Sequence, residues 1–441
     1  NYYKRLYATI YLANLVIERF DAAESEVKAR NIAEAKFFRA ICYFELTTLW
    51  GTPPLVDRVL KNSEEYKVPN STAEQLWKFM ETDLTEAITS GKLTSKTSLE
   101  DRDGGTRATL EAARCLLGKI YLYQEKYADA KSELEKVISS GKYDLIADVS
   151  TFYHPASAGC KEYVLECVRH YDPSNMYSQE GWFGILANWG FGYGFIAGPE
   201  ASMHYKFNTT SGYSYFNPSK SLYDAFVAEE GADGYRLNAW IRTWEQVIAM
   251  NIAVNTTTNK YASEGYFRLK WLASTDDEFV GYWCGNQSNT PVIRYADVLL
   301  MAAEACLQAG DQAGADEYLG RVRDRARLPR KSHVTLSDIK LERRLELAME
   351  GMRFQDLKRW GDAPAVLADK GKKLPTFQIV PDPNNDLTTA AGIYNARYTT
   401  KTTYVDNEKS LAGWTPNRDE WLPFPENELE VNSNLKQNPG Y

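Results

Sequence analysis

Apolar residues recur every three to four positions along two separated stretches of the chain, and that period fails between them. In the second stretch, Val292 to Gly361, Ala303, Cys306, Gly310, Ala315, Leu319 and Val322 fall where the two helices of a tetratricopeptide unit need small or apolar contacts. Such a unit leaves an apolar face bare, so it needs a neighbour of the same kind. Leu117, Gly118, Tyr121, Tyr127, Ala130, Leu134 and Val137 supply one, with Gly118 where the first helix must let the second come close. The pattern predicts helix pairs stacked in one contiguous body, although residues 141–291 separate the two copies.

The same period places further helices. Leu6, Ile10, Ala13, Ile17 and Phe20 mark one; Ala33, Phe37, Ala40, Ile41 and Phe44 mark a second that ends at Gly51 before Pro53-Pro54. After a loop to Asn70, Ser71 or Thr72 is placed to cap a helix carrying Leu76, Phe79, Met80, Leu84, Ala87 and Ile88, with Glu74 early, where the helix dipole favours an anion. Thr94 to Gly105 reads as a polar connector. Residues 1–140 and 292–361 are thus the two halves of a helical scaffold. Between them, 141–291 reads as an irregular subdomain with strand-like pieces (TFYH, YVLECV), a helix at Leu222 to Val227 and another near Trp240 to Ala249. Residues 362–441, rich in Thr, Asn and Pro, read as an irregular segment packed on that subdomain. Irregular chain of this length within a helical protein usually carries function.

Charge removes one class of partner. The 441 residues carry 51 Lys and Arg against 59 Asp and Glu, a net charge of −8 with both signs interspersed, so the basic footprint of a nucleic-acid binder is missing. No apolar run reaches the roughly 18 residues of a membrane span. The chain opens at Asn1 inside an amphipathic pattern, from which a removed leader is expected, and any lipid-anchoring cysteine with it. Six cysteines are too few for a disulfide scaffold. Cys42, Cys115 and Cys306 read as small core residues; Cys160 and Cys167 either pair or leave Cys167 at an apolar strand position.

Candidate chemistry is sparse. His154, His170, His204 and His333 lack zinc-ligand spacing, so no metal is expected, and no nucleophile elbow or phosphate loop is present. Gly190, Gly192 and Gly194 alternate with aromatic residues and lack the flanking strand and helix of a nucleotide loop, so no cofactor is expected either. A glycosidase needs two carboxylates about 5 to 9 Å apart, and nothing marks such a pair. In ERRLELAMEGMRFQDLKRWG, Glu342, Arg343, Glu346, Glu350, Arg353 and Asp356 set opposite charges one helical turn apart, which reads as a structural ion-pair network rather than as catalytic residues.

The aromatic residues are the strongest functional signal: 29 Tyr, 17 Phe and 11 Trp exceed what the helix pairs need for filling. Trp182, Phe183, Trp189, Phe191, Tyr193 and Phe195 lie among glycines that clear space around flat rings. Sugar rings stack their C–H faces on such surfaces, while Asn, Gln and Arg read the hydroxyls. The carbohydrate-binding candidates are therefore Trp182, Asn188, Trp189, Phe191 and Tyr193, with Trp283 beside Asn286 and Gln287, and Tyr66 in the loop after the first helix pair. The competing reading of the same rings is a subdomain core.

As a set and in order, AEAKFFRAICYFELTTLWGTPPL, the repeat unit at Thr109 to Leu145, NPSKSLYDAF with DGYRL, TPVIRYADVLLMAAEACL, RVRDRARLP, ERRLELAMEGMRFQDLKRWG and the terminal NPGY resemble the SusD/RagB family of Bacteroidetes surface glycan-binding lipoproteins. The resemblance implies a mostly α fold, a right-handed superhelix of four tetratricopeptide-like helix pairs against a loop-rich subdomain that holds the glycan. It also implies a non-catalytic role at the outer-membrane surface, under a lipid anchor, capturing oligosaccharide for a TonB-dependent porin of the SusC type. The family's lipidated cysteine is absent from this chain, and its ligand residues vary with the glycan, so none transfers by motif. A glycoside hydrolase and a purely structural assembly protein are the alternatives.

Overall fold

A computed structural model describes residues 2–168, 217–243, 245–246, 264–270, 289–386, 388, 397–407 and 412–441, and among these residues it has thirteen α-helices and six strands. The first half holds α1 (Tyr2–Arg19), α2 (Glu26–Trp50), α3 (Ala73–Thr89), α4 (Leu110–Tyr123) and α5 (Tyr127–Ile138). Their starts are set by side-chain caps: Ser25 accepts from the Lys28 N–H, Thr109 from the Ala112 N–H, and Thr72 forms a reciprocal box with Gln75. From the intervening segment come β1 (Tyr163–Cys167), α6 (Lys220–Glu230), α7 (Tyr235–Trp240), β2 (Ile241–Thr243), β3 (Tyr266–Arg268) and β4 (Thr290–Arg294). The second half holds α8 (Tyr295–Gln308), α9 (Gln312–Arg325), α10 (Leu336–Glu346) and α11 (Arg353–Arg359), followed by α12 (Ala363–Val366), β5 (Lys373–Pro381), β6 (Tyr398–Asp406) and α13 (Glu426–Val431).

The two halves join directly. α5 packs on α8, and one apolar core runs from Phe37 and Leu46 through Ala112, Ile120 and Leu134 to Leu300 and Val322. Gly118 meets the expected need: a Cβ there would lie 2.7 Å from Leu134 Cγ, so only glycine lets α4 and α5 approach this closely. Across the same junction Lys131 Nζ pairs with Asp311 Oδ2 at 2.6 Å, and Tyr318 donates to Glu135 at 3.0 Å.

A buried ionic network fastens the inserted segment to the second half. Arg294 at the end of β4 bonds Glu162 at 2.6 Å, Glu346 at 3.2 Å and Glu350 at 2.6 Å. Arg325 on α9 reaches Glu162 at 3.1 Å and also Glu346, and Arg236 on α7 reaches Glu346 at 3.0 Å. Lys270, just past β3, donates to the carbonyls of Glu346 and Ala348 and to Glu350 Oε1. The expected network is therefore present, but its partners come from distant elements rather than from one turn along a helix. The predicted single charged helix is in fact two: the chain reverses between α10 and α11, with Met349 at φ 64° and Gly351 at φ 83°.

Other expectations are corrected. TFYH forms a tight turn after a 3₁₀ segment at Val149–Thr151, with Phe152 and Tyr153 buried, because its rings fill the subdomain core and its backbone joins no ladder. Trp240 ends α7, and β2 follows it at once and pairs antiparallel with β3; of the helix expected near Trp240 to Ala249, Glu245 and Gln246 are helical, and 244 and 247–249 lie outside the described residues. Cys160 and Cys167 are free thiols, and Cys167 is exposed at the end of β1 rather than at an apolar strand position. The Thr94 to Gly105 connector buries Lys96 over the Tyr143 ring. The C-terminal segment is not irregular throughout, since β5 and β6 form a nine-residue antiparallel ladder from Lys373↔Asp406 to Pro381↔Tyr398. The ladder sets Phe377 against Gly265 and Phe267 of the inserted segment. The last residues lie instead on the first helices: the Trp50 indole N–H donates to Pro423 O at 3.0 Å, and Asn438 Nδ2 donates to Trp50 O at 3.0 Å.

One cap predicts an acid response. Burial alone would raise the Asp338 pKa, but the Thr335 hydroxyl and N–H, with Lys331 at 2.9 Å, outweigh it and hold the carboxyl at about 2. A carboxyl depressed by folding contributes stability above its unfolded value near 4 and loses it as pH falls from there toward 2. Asp338→Asn should therefore flatten that part of the acid-unfolding curve, read by circular dichroism between pH 5 and 2. An acid limb unchanged from the parent would contradict this assignment.

Candidate functional site

The loop between α2 and α3 is the described region best built to hold a ligand. It leaves α2 at Gly51 (φ 79°), where a Cβ would come within 2.9 Å of the Trp421 ring. Five anchors then fix its path. Tyr7 donates to Pro54 O at 2.6 Å, and Tyr43 OH accepts from the Val56 N–H at 2.7 Å. Asn14 Nδ2 donates to Val56 O at 3.1 Å and to Arg58 O at 3.0 Å. Glu18 accepts from the Val59 N–H at 2.6 Å, and Asn432 donates to Val68 O at 2.7 Å. The buried Asn14 is itself held by Arg39, whose guanidinium also makes a two-pronged bond to Asp83 at 2.8 and 2.7 Å. A loop so tied is shaped before any ligand arrives, which lowers the entropy cost of binding.

Under this loop, between α1 and the chain around α13, lies a cavity of about 410 Å³, within the range of small-molecule sites. Ile10, Val56, Val68 and Leu435 line its walls. At its mouth stand two tyrosines with free surface, Tyr66 at 58% exposure and Tyr11 at 48%, with Arg58 and Glu428 beside them. A second cavity of about 520 Å³ opens where α2, α3 and α11 meet the C-terminal segment. Its groups are already engaged: Trp421 lies between Gly51 and Lys358, whose Nζ is 4.3 Å from the ring, and Arg359 bonds Glu304 and Asp356.

Of the sequence candidates, Tyr66 alone falls among the described residues, and it stands at that mouth. Trp182, Asn188, Trp189, Phe191, Tyr193 and Trp283 lie outside them. Tyr11 was not singled out, because its place in the amphipathic run of α1 reads as helix packing; the exposed face at helical spacing was the available signal. The acids of the charged segment offer no free pair. Glu342 and Glu346 are ion-paired and buried, Glu350 is half-buried and paired with Lys270 and Arg294, and despite burial the surrounding guanidinium groups hold Glu346 well below the usual carboxylate range. The thiol and carboxylates of Cys306, Glu135 and Asp311 gather around Lys131, and burial pushes the Cys306 thiol up to about 12, so that group reads as an ion pair with a neutral thiol. No helix among the described residues is long and apolar enough to cross a membrane.

Residues 161–441 match the SusD family, well over half of the chain. The chain belongs to the SusD family. Residues 1–122 match a second family described as starch-binding and associating with the outer membrane. A SusD-like protein of Bacteroides ovatus is 25% identical, over 98% of this chain and 79% of its own length. SusD-like protein P2 of Formosa agariphila is 25% identical, over 100% of this chain and 80% of its own. Among solved structures, a laminarin-binding SusD-like protein superposes with a TM-score of 0.77 at 27% identity, covering 100% of this chain and 85% of that one. The surface glycan-binding protein A of Bacteroides thetaiotaomicron, solved with laminarihexaose, shares the fold at a TM-score of 0.72 and 23% identity, covering 99% and 85%. These SusD-like structures are tetratricopeptide-like and helical, as is this chain.

Proposed function

We propose that this SusD-family chain is a non-catalytic glycan-capture protein of the outer-membrane surface, which delivers oligosaccharide to a TonB-dependent porin of the SusC type. The observation that carries the reading is the likeness, over all of this chain, to a laminarin-binding SusD-like protein. The pinned loop and its tyrosine-rimmed cavity support it, since a preformed concave surface with exposed rings suits a sugar. In this reading Trp182, Asn188, Trp189, Phe191, Tyr193 and Trp283 supply further stacking and hydroxyl contacts, and a lipid anchor holds the protein at the membrane. Delivery requires a docking face, and stacked helix pairs present extended surfaces suited to a large partner.

Two measurements test the proposal. A glycan array should give a saturable signal for one glycan class, with no reducing ends released from it over hours; an array without signal would leave a structural assembly role instead. Purification from membranes in mild detergent should recover a TonB-dependent porin together with this protein. Recovery of the protein alone would sink the delivery step while leaving capture standing.

A further inference from the structure

Resting on that glycan-capture reading, we infer that the cavity under the loop is a subsite for a neutral sugar ring, with Tyr11 and Tyr66 as its stacking surfaces and Arg58 as its hydroxyl reader. Exposure and hydrogen bonding separate the ligand-facing groups from the structural ones. Tyr3 is 4% exposed and packs edge-on against Trp50, and the Tyr7 hydroxyl is spent on Pro54, so these two rings belong to the wall. Asn14 uses both its donors and its acceptor on the loop and on Arg39. Tyr11 and Tyr66 keep about half their surface in solvent at the mouth of the cavity, which leaves both rings open to a ligand.

The two rings are fixed relative to one another by their supports. Tyr11 stands on the third turn of α1, whose opposite face is buried through Leu6, Ile10 and Ala13. Tyr66 follows a short turn in which Asn62 Oδ1 accepts from the N–H groups of Glu64 and Glu65, both at 3.1 Å. Asn434 Nδ2 then donates to Lys67 O at 2.7 Å, so the chain is held on both sides of the ring. Surfaces that need no ordering on binding are what a weak, stacking-driven ligand requires.

Charge decides the sugar class. The cation at the mouth, Arg58, makes ion contacts with Asp57 and Glu65 at 3.7 Å each, beyond hydrogen-bond distance, so its N–H groups can still turn to ligand hydroxyls. Those two carboxylates, with Glu428 across the opening, leave no net positive charge to draw a uronate or a sulfate ester. A polyhydroxylated uncharged ring satisfies Arg58 and Glu428 together, donating to one and accepting from the other, while its C–H faces meet the tyrosines. The placement also agrees with the starch-binding description of residues 1–122, which include α1 and the whole loop.

The test is calorimetric titration of the full chain with whichever neutral glycan gives an array signal, laminarihexaose and maltohexaose first, beside an oligogalacturonate of equal length. Tyr11→Ala and Tyr66→Ala should each weaken the neutral ligand about tenfold, as loss of one stacking partner does, with melting temperatures near that of the parent because both rings stand at the rim. Arg58→Gln should weaken it less, and the oligogalacturonate should bind no variant. Unchanged affinity in both tyrosine variants would overturn the subsite while leaving capture intact at other rings. Equal binding of the oligogalacturonate, lost in Tyr66→Ala, would overturn the neutral class. A parent that binds charged glycans alone on the array would likewise overturn the neutral class, whereas one that gives no signal for any glycan would fail the capture reading itself.

Discussion

Leu117→Asp should abolish the cooperative melt of the entire chain, not of one repeat. Leu117 is 4% exposed on α4, inside the single apolar core that spans both halves of the scaffold. The substitution removes roughly 2 to 3 kcal/mol of apolar burial and puts in its place a carboxylate that must be solvated, neutralised or expelled at a cost of several kcal/mol more. Set against a total stability of about 5 to 15 kcal/mol, that loss empties the native state. Because α4 packs on α3, α5 and α8, water reaching this site opens the junction on which the second half rests. Val405→Asp is the control: Val405 is 60% exposed on β6, so the same change in chemistry should shift the melt little. Circular dichroism melts and urea titrations read both. A soluble Leu117→Asp protein melting with the parent would mean that the helix pairs are independently stable, contrary to one continuous core.

The features that this core depends on were legible in the sequence because they repeat. Gly118, Ala130 and Leu134 recur in kind as Ala303, Ala315 and Leu319, and a residue whose neighbour is fixed by helical spacing can be read without knowing the rest of the fold. Features set by distant partners were not. The ladder of β5 and β6 joins KLPTFQIVP to YTTKTTYVD, and each face mixes apolar residues (Leu374, Val380 and Val405 on one, Phe377 on the other) with Thr, Lys, Gln or Pro, so no alternation of apolar and polar residues announces it. Glu346 carries the right charge for an intrahelical pair, yet its partners Arg236, Arg294 and Arg325 come from three other elements. The candidate site divides in the same way. Tyr66 could be found because a ring in a polar loop has no helical packing to explain it. For Tyr11 helical spacing gives only the exposed face of α1; its place at a cavity mouth follows from how the loop and the chain near α13 arch beside that helix, a matter of Asn14, Tyr7 and Asn432 bonding to backbone far along the sequence.

The ionic network should be the other place where a single substitution costs most. Glu346 is fully buried and receives three guanidinium groups, from Arg236, Arg294 and Arg325, while its own carbonyl accepts from Lys270. Glu346→Gln keeps the volume but withdraws the charge that compensates those cations. Breaking a buried pair from one side costs about 3 to 5 kcal/mol, because the cost of the uncompensated charge remains when the attraction is gone. Here several cations lose a shared partner, and Glu350 and Glu162 alone remain near Arg294. The loss should therefore lie at the upper end of that range and appear first at the seam between the inserted segment and α10. Glu317→Gln supplies the contrast, since Glu317 pairs with Arg330 at the surface with side chains 53% and 45% exposed, and such pairs contribute about 1 kcal/mol or less. Hydrogen exchange by mass spectrometry should show Glu346→Gln raising exchange around Glu162 and Arg236 before α1 and α2 respond. Added salt should not restore the difference, because a pair shut off from solvent is screened far less than one at the surface. If Glu346→Gln and Glu317→Gln instead melt alike, the network contributes no more than a surface pair, and the inserted segment must be held by its apolar contacts through Phe226, Leu237 and Trp240.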